Sequence, residues 1–399
     1  MTHITQKTIV FFYFLVIYIK TDKFRCKIFF EGIMTTHQVR ILITSVGTAR
    51  PSASAVIAKG LGLPVSTVVS RLYSAPTTLI DKVDESIATQ MINLLVSIGF
   101  TAEIQSLDEP APEPATLYDV AIYIEDARRF QHAVKTLSEF TGINETDASH
   151  MILSPPGVVI GSVSKVTVQT LSDQMGEKIS VLSSPANTAL YSLFLNKEPT
   201  KAVELRILED IKKAGYAIGN SNGAIAADLD HITAKNLWQR YQSTGVLQII
   251  NQDFIRYDLI LQKPKIDLPL NSVQIQVLKD LAEVPAEIAE EVISSAPITL
   301  LESIPKTQVE HYIKTFAEKG INVIASMITF QLLGLEVISI SDRVALSNVL
   351  QSFGLHQNGQ TLPAIPFQTP GAIPELQARI ICSTLEDTGA EVNLVEVAI

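Results

Sequence analysis

A serine between glycines is the first place to look for chemistry. Gly219-Asn220-Ser221-Asn222-Gly223 spells the G-x-S-x-G of a hydrolase nucleophile elbow, which needs a strand leading into the serine and a helix following it. Here the order is reversed, because Lys201 to Ala214 reads as a helix and Ala224 to Leu229 as a strand. The segment is expected to be a turn. Seven histidines, His3, His37, His132, His150, His231, His311 and His356, are scattered with no i, i+4 pair and no nearby cysteine, whereas a metal site needs ligands that converge. Cys26 and Cys382 stand far apart and suggest neither a disulfide framework nor paired zinc ligands. Asp228-Leu229-Asp230 offers two carboxylates, which read as a loop or helix cap sooner than as an acid and base. Neither GxGxxG nor a P-loop Gly-Lys pair is present. No catalytic, cofactor-binding or metal residue is assigned, and the chain is not expected to be an enzyme.

One stretch invites a binding role. Lys197 to Lys213 is the most charged helix in the chain, carrying Lys201, Arg206, Lys212 and Lys213 among Glu198, Glu204, Glu209 and Asp210. Glu209 and Lys213 form an i, i+4 pair suited to an exposed helix. It reads first as a solvated face; as a docking face, Lys201, Arg206, Lys212 and Lys213 are the candidate partner-binding residues.

The elements that would position such a face emerge from a degenerate internal repeat. A glycine ends a helical stretch and precedes a β-rich run at Gly99, Gly176, Gly245, Gly320 and Gly389, at separations of 77, 69, 75 and 69 residues. A residue just past a helix end often turns left-handed, where glycine is favoured. Ile87, Met91, Leu94, Leu95 and Ile98 form one apolar stripe ahead of the first glycine, with Asp84 placed to cap it; Trp238 and Tyr241 precede the third, and Val309, Tyr312, Ile313 and Phe316 the fourth. About twenty residues upstream of each glycine, Ala75-Pro76, Pro155-Pro156, Asn222-Gly223, Ala296-Pro297 and Thr369-Pro370 end a helix and start a strand. Each unit opens on an apolar or alternating strand: Val39 to Thr44, Asp119 to Ile124, Tyr191 to Leu195, Tyr257 to Leu261 and Phe330 to Leu335.

The expected class is therefore α+β, with five tandem βααβαβ domains at residues 34–107, 117–184, 188–252, 255–326 and 328–399. Leu107 to Thr116, with its Asp-Glu-Pro-Ala-Pro-Glu-Pro run, reads as a semi-rigid spacer. The first domain is accordingly expected to be hinged, and the other four to form a fixed curved rod.

Composition fits this organisation. Hydrophobic residues make up 47% and charged residues 18%, as in a chain packed throughout. Residues 1–33 differ from the rest: Thr8 to Ile19 is an apolar run too short to span a bilayer. The reading given first is an upstream start codon misassigned, with the native chain opening at Met34; a short membrane anchor and a signal sequence are the alternatives. Without those residues, 26 Lys and Arg stand against 39 Asp and Glu, a net charge of -13. Nucleic acid is not expected as a partner, a membrane only if residues 1–33 are real, and the cytoplasm is the expected compartment.

The ordered set of marks resembles the C-terminal domain of the bacterial ribosomal stalk protein. The resemblance rests on Gly60-Leu61-Gly62-Leu63, Ser74-Ala75-Pro76, Val83-Asp84-Glu85 and Ile98-Gly99 in the first unit, and on Ala286 to Pro297 and Ile304 to Val323 in the fourth. Glu386 to Val392 looks like that family's closing helix and strand. The resemblance implies two-layer sandwiches, each a three-stranded antiparallel sheet with helices on one face, a shape shared with the Clp-protease adaptor. Stalk domains recruit translational GTPases through a lysine-rich surface on their first two helices; the matching stretch Ser52 to Tyr73 carries Lys59 and Arg71. The expected function is a non-enzymatic interaction or scaffold protein with protein partners. A translation-linked or protease-adaptor role, and an enzyme with its site at a junction between repeats, are the alternatives.

Overall fold

The computed structural model describes residues 37–50, 52–195, 199–219, 224–264, 269–356, 362–369 and 371–397. The N-terminal extension at 1–33, Met34, Lys197 and Glu198, Asn220 to Gly223 and Pro370 lie outside the described residues. The protein is α+β, with five small sheets and thirteen α-helices among the described residues. In the first sheet β1 (Gln38–Ser45) lies between β2 (Thr77–Asp84) and β3 (Thr101–Ser106). The second places β4 (Leu117–Ile124) between β5 (Val158–Ser164) and β6 (Ile179–Pro185). The third places β7 (Tyr191–Leu195) between β8 (Ala226–Leu229) and β9 (Leu247–Asn251). The fourth places β10 (Arg256–Leu261) between β11 (Ile298–Pro305) and β12 (Val323–Met327). In the fifth, β13 (Leu332–Ser339) pairs along one edge with β16 (Glu391–Glu396). Its other edge is divided between β14 (Phe367–Gln368) and β15 (Ile373–Pro374).

Two helices join the first two strands in the first, second and fourth sheets, as expected. In the third and fifth only one does among the described residues, Lys201–Lys213 and Arg343–Ser352; residues 220–223 and 357–361 of those connections lie outside them. The fifth sheet departs further, because its second strand is broken. In the gap, Thr369 donates its N–H to the Leu335 carbonyl (2.8 Å) and its hydroxyl accepts the Leu335 N–H (3.3 Å). A side-chain oxygen thus replaces a missing ladder partner, and that keeps the buried backbone satisfied.

The edge strands carry a feature the sequence did not announce. Lys82, Ser162, Asp228 and Ser303, none a glycine, adopt φ of 57 to 59°, where a Cβ is disfavoured. Each sits in the second strand of its sheet, and the register shifts there in the first, third and fourth. Such a bulge kinks the strand and frees backbone donors. A carboxylate on the central strand satisfies the donor: Ser303 N–H binds Asp258 Oδ1 (2.8 Å) and Ser162 N–H binds Asp119 Oδ1 (3.3 Å).

Central strands are buried on both faces. Val39 to Ile43 and Val120 to Ile122 are buried without a break, which accounts for apolar runs where a half-exposed strand would alternate. Asp84 occupies the N-cap of Glu85–Ser97 with extended backbone but makes no capping hydrogen bond. Trp238 corrects another expectation, being half exposed while Ala234, Leu237 and Tyr241 carry the buried stripe of His231–Tyr241.

The chain separates into two compact units. One comprises Met1–Val120, Gln131–Ser149 and Ile160–Val181; the other comprises Ala121–Phe130, His150–Val159 and Leu182–Ile399. Within the former, the Tyr73 hydroxyl donates to the Phe140 carbonyl (2.5 Å), and the two rings meet edge to face at 5.7 Å. Thr167 Oγ1 donates to the Tyr73 carbonyl (2.8 Å), and Gln174 Nε2 to the Gly47 carbonyl (3.0 Å). Helices of the second repeat are therefore pinned to the first, which corrects the expectation of a hinge.

Within the latter, Phe194 and Ile250 from the third sheet share a core with Ile255, Tyr257, Leu259 and Val309. Arg379 reaches the carbonyls of Ile124 (2.9 Å) and Glu125 (3.2 Å). Segments more than 250 positions apart thus touch, and an open rod does not describe this unit.

Candidate functional site

Lys201–Lys213 is held by Ile207 and Ile211, both fully buried against the third sheet in a core with Leu193, Leu237 and Tyr241. At about 100° per residue, Lys201, Lys212, Leu205, Glu209, Lys213 and Arg206 fall within an arc of roughly 140° on the opposite side. All six are exposed, Leu205 at 58%. The sequence-assigned Lys201, Arg206, Lys212 and Lys213 therefore share one face. Glu209 offsets part of its charge through a 2.8 Å contact with Lys213.

Asp210 is turned aside from this arc. It accepts from Arg240 Nη1 and from the Tyr241 hydroxyl, both at 2.6 Å. Burial and that carboxylate push Tyr241 up to about 12. The acidic side chain that could neutralise the arc is thereby spent on the neighbouring helix. Asp230 caps that helix, accepting from Thr233 N–H (2.8 Å). The Thr233 N–H and the Tyr216 hydroxyl hold its carboxyl below the usual range. Its sequence neighbour Asp228 binds Gln252 Nε2 (3.0 Å) and lies 3.5 Å from Lys306. The two carboxylates are thus engaged, one in a helix cap and the other, itself exposed, in contacts with Gln252 and Lys306.

Elsewhere, Gly219 N–H donates to the Ile225 carbonyl (3.0 Å); the turn expected at Asn220 to Gly223, with Ser221, lies outside the described residues. Among those residues, no three His, Cys, Asp or Glu side chains gather as a metal would require. No single helix among them is long and apolar enough to cross a membrane.

A second site escaped the sequence reading. A small cleft, open on one side, is lined by apolar residues that include Ile122, Ile152, Leu182, Phe254, Ile328 and Leu376, together with Tyr123, Arg256, Thr329 and Glu375. Tyr257 and Leu259 pack in the core beside Val309, so alternation along β10 turns Arg256 and Asp258 to the other face of the sheet. Arg379 pairs with Glu375 one helical turn away, and its guanidinium lies 5.6 Å from the centre of the Tyr123 ring. Burial pushes the Tyr123 hydroxyl up against the opposing pull of Arg379 and Ser303, and burial likewise raises the Asp258 carboxyl. The available signal was Arg256-Tyr257-Asp258-Leu259, in which charged residues alternate with apolar ones along the strand.

No protein-family model, curated protein or solved structure matches the chain.

Proposed function

We propose that the chain is a non-catalytic interaction protein made of five tandem modules like the ribosomal stalk C-terminal domain, and that the basic arc of the third docks an acidic segment of a partner protein. The observation carrying this reading is the convergence of Lys201, Arg206, Lys212 and Lys213 around exposed Leu205, on a chain of net charge -10. A local positive face on an acidic protein attracts acidic segments and disfavours self-association through that face. Support for the modular reading comes from the recurring strand order, with the first strand central each time, and from the bulge repeated at Lys82, Ser162, Asp228 and Ser303. Modules of one kind, diverged on their exposed helices, build an extended surface suited to assembling partners.

A catalytic reading would have to use the cleft at Arg256. There Glu375 is held by Arg379, and the raised Tyr123 hydroxyl is displaced further from the neutral range in which a general acid or base works best.

The test is a charge reversal at Lys201, Arg206, Lys212 and Lys213 to Glu in the full chain. Affinity for an acidic partner peptide is expected to fall by at least about tenfold and to weaken with salt in the parent chain, as for steered charged contacts. Unchanged circular dichroism accompanies that loss. Equal affinity in the reversed chain removes the docking claim.

A further inference from the structure

Arg256 is nine-tenths buried. Its Nε has no hydrogen-bond partner, and no ion pair to its guanidinium occurs among the described residues. Its backbone is secured separately, by the Arg256 N–H donating to Thr329 Oγ1 (2.7 Å). The nearby carboxylates have other engagements: Asp253 takes the Ser184 hydroxyl at 2.5 Å, and Glu375 takes Arg379. A guanidinium keeps its proton even when buried, and an unpaired buried charge costs several kcal/mol. Arg256 lines the cleft, so an anion held there would meet the charge.

The walls define what kind of counter-ion fits. Aliphatic and aromatic side chains make up most of the lining, so an anion with several charged oxygens would leave some of them against apolar carbon, at a desolvation cost. The cavity offers about 50 Å³, room for a handful of heavy atoms. One carboxylate matches the planar fork of arginine, and a short apolar tail matches Phe254 and Leu376.

We propose that this cleft is a binding site for a small monocarboxylate, a short aliphatic acid, with Arg256 as its anchor and the Tyr123 hydroxyl as a second donor. The site lies apart from the basic arc on Lys201–Lys213, and its occupancy is independent of partner docking.

Calorimetric titration of the full chain with propionate, butyrate and inorganic phosphate tests the assignment. Propionate or butyrate is expected to bind saturably at one site, and phosphate at least about tenfold more weakly, since its remaining charged oxygens would lose water against apolar walls. Arg256→Met removes binding without lowering Tm, because an apolar isostere of an unpaired buried charge is neutral or stabilising. Should that variant unfold, Leu376→Trp fills the cleft with Arg256 intact and must also abolish binding. The proposal is overturned by no saturable carboxylate binding, by equal binding of phosphate, or by binding that survives either substitution in a folded chain.

Discussion

Tyr73 gives the sharpest test of how the first repeat is fastened. Its hydroxyl donates to the Phe140 carbonyl, and burial pushes its pKa from 10.0 up to about 12. A raised folded-state pKa means that the neutral phenol is preferred in the fold. The stability linked to it is fully present below pH 10 and is lost as pH rises through 12. Two units correspond to roughly 2.7 kcal/mol. Tyr73→Phe keeps the edge-to-face contact with Phe140 but deletes the donor, at a cost of about 1 kcal/mol at neutral pH. The parent chain should therefore be more stable than the variant by about 1 kcal/mol near pH 8, and less stable by roughly 1.3 kcal/mol near pH 12, where the folded phenol is half ionised. Urea unfolding followed by circular dichroism, at several pH values in both chains, reads the difference directly. Phenolate absorbance of the parent minus the variant reads the single titration. A Tyr73 midpoint near 10, or a stability gap that does not narrow with pH, refutes the reasoning.

Three further outcomes are expected. Gly99→Ala should cost more than Gly245→Ala: both glycines have positive φ, but a Cβ on Gly99 would come within 2.7 Å of the Ala49 nitrogen, while one on Gly245 meets open space. The Gly245 variant is expected to lose about 1 kcal/mol in chemical denaturation and the Gly99 variant at least twice that. Cys382 is 9% exposed and its thiol is pushed up to about 11 by burial and by Glu386. It should resist alkylation near pH 8 until the chain is unfolded, and labelling at the rate of a free thiol would contradict its placement. Trp238 is 50% exposed; Trp238→Ala should change stability by less than about 1 kcal/mol, and acrylamide should quench its fluorescence readily in the folded state.

Glycines and prolines made the order of elements legible because they act locally. Gly176 closes a helix at φ 72° and Gly245 turns left-handed after Gln242–Thr244, whatever packs around them. Side-chain direction is a tertiary property and was less legible. Trp238 stands among residues that suit a buried stripe, yet it falls at the edge of the face occupied by Leu237 and Tyr241. The fifth unit misled for a related reason: its second strand has no continuous pattern to read, and its pairing is carried partly by the Thr369 side chain. Lys201, Arg206, Lys212 and Lys213 were recoverable because one helix carries them all. The Arg256 cleft was not, since Ile122, Phe254 and Leu376 come from distant segments and no spacing rule links them.

The docking claim is tested most directly by a photo-crosslinking residue placed at Leu205, in the middle of the basic arc. In native lysate, crosslinks are expected to an Asp- and Glu-rich segment of one protein, lost at high salt and lost when Lys201, Arg206, Lys212 and Lys213 are reversed to Glu. Crosslinks of equal yield in the reversed chain, or to neutral and basic segments alone, would contradict it.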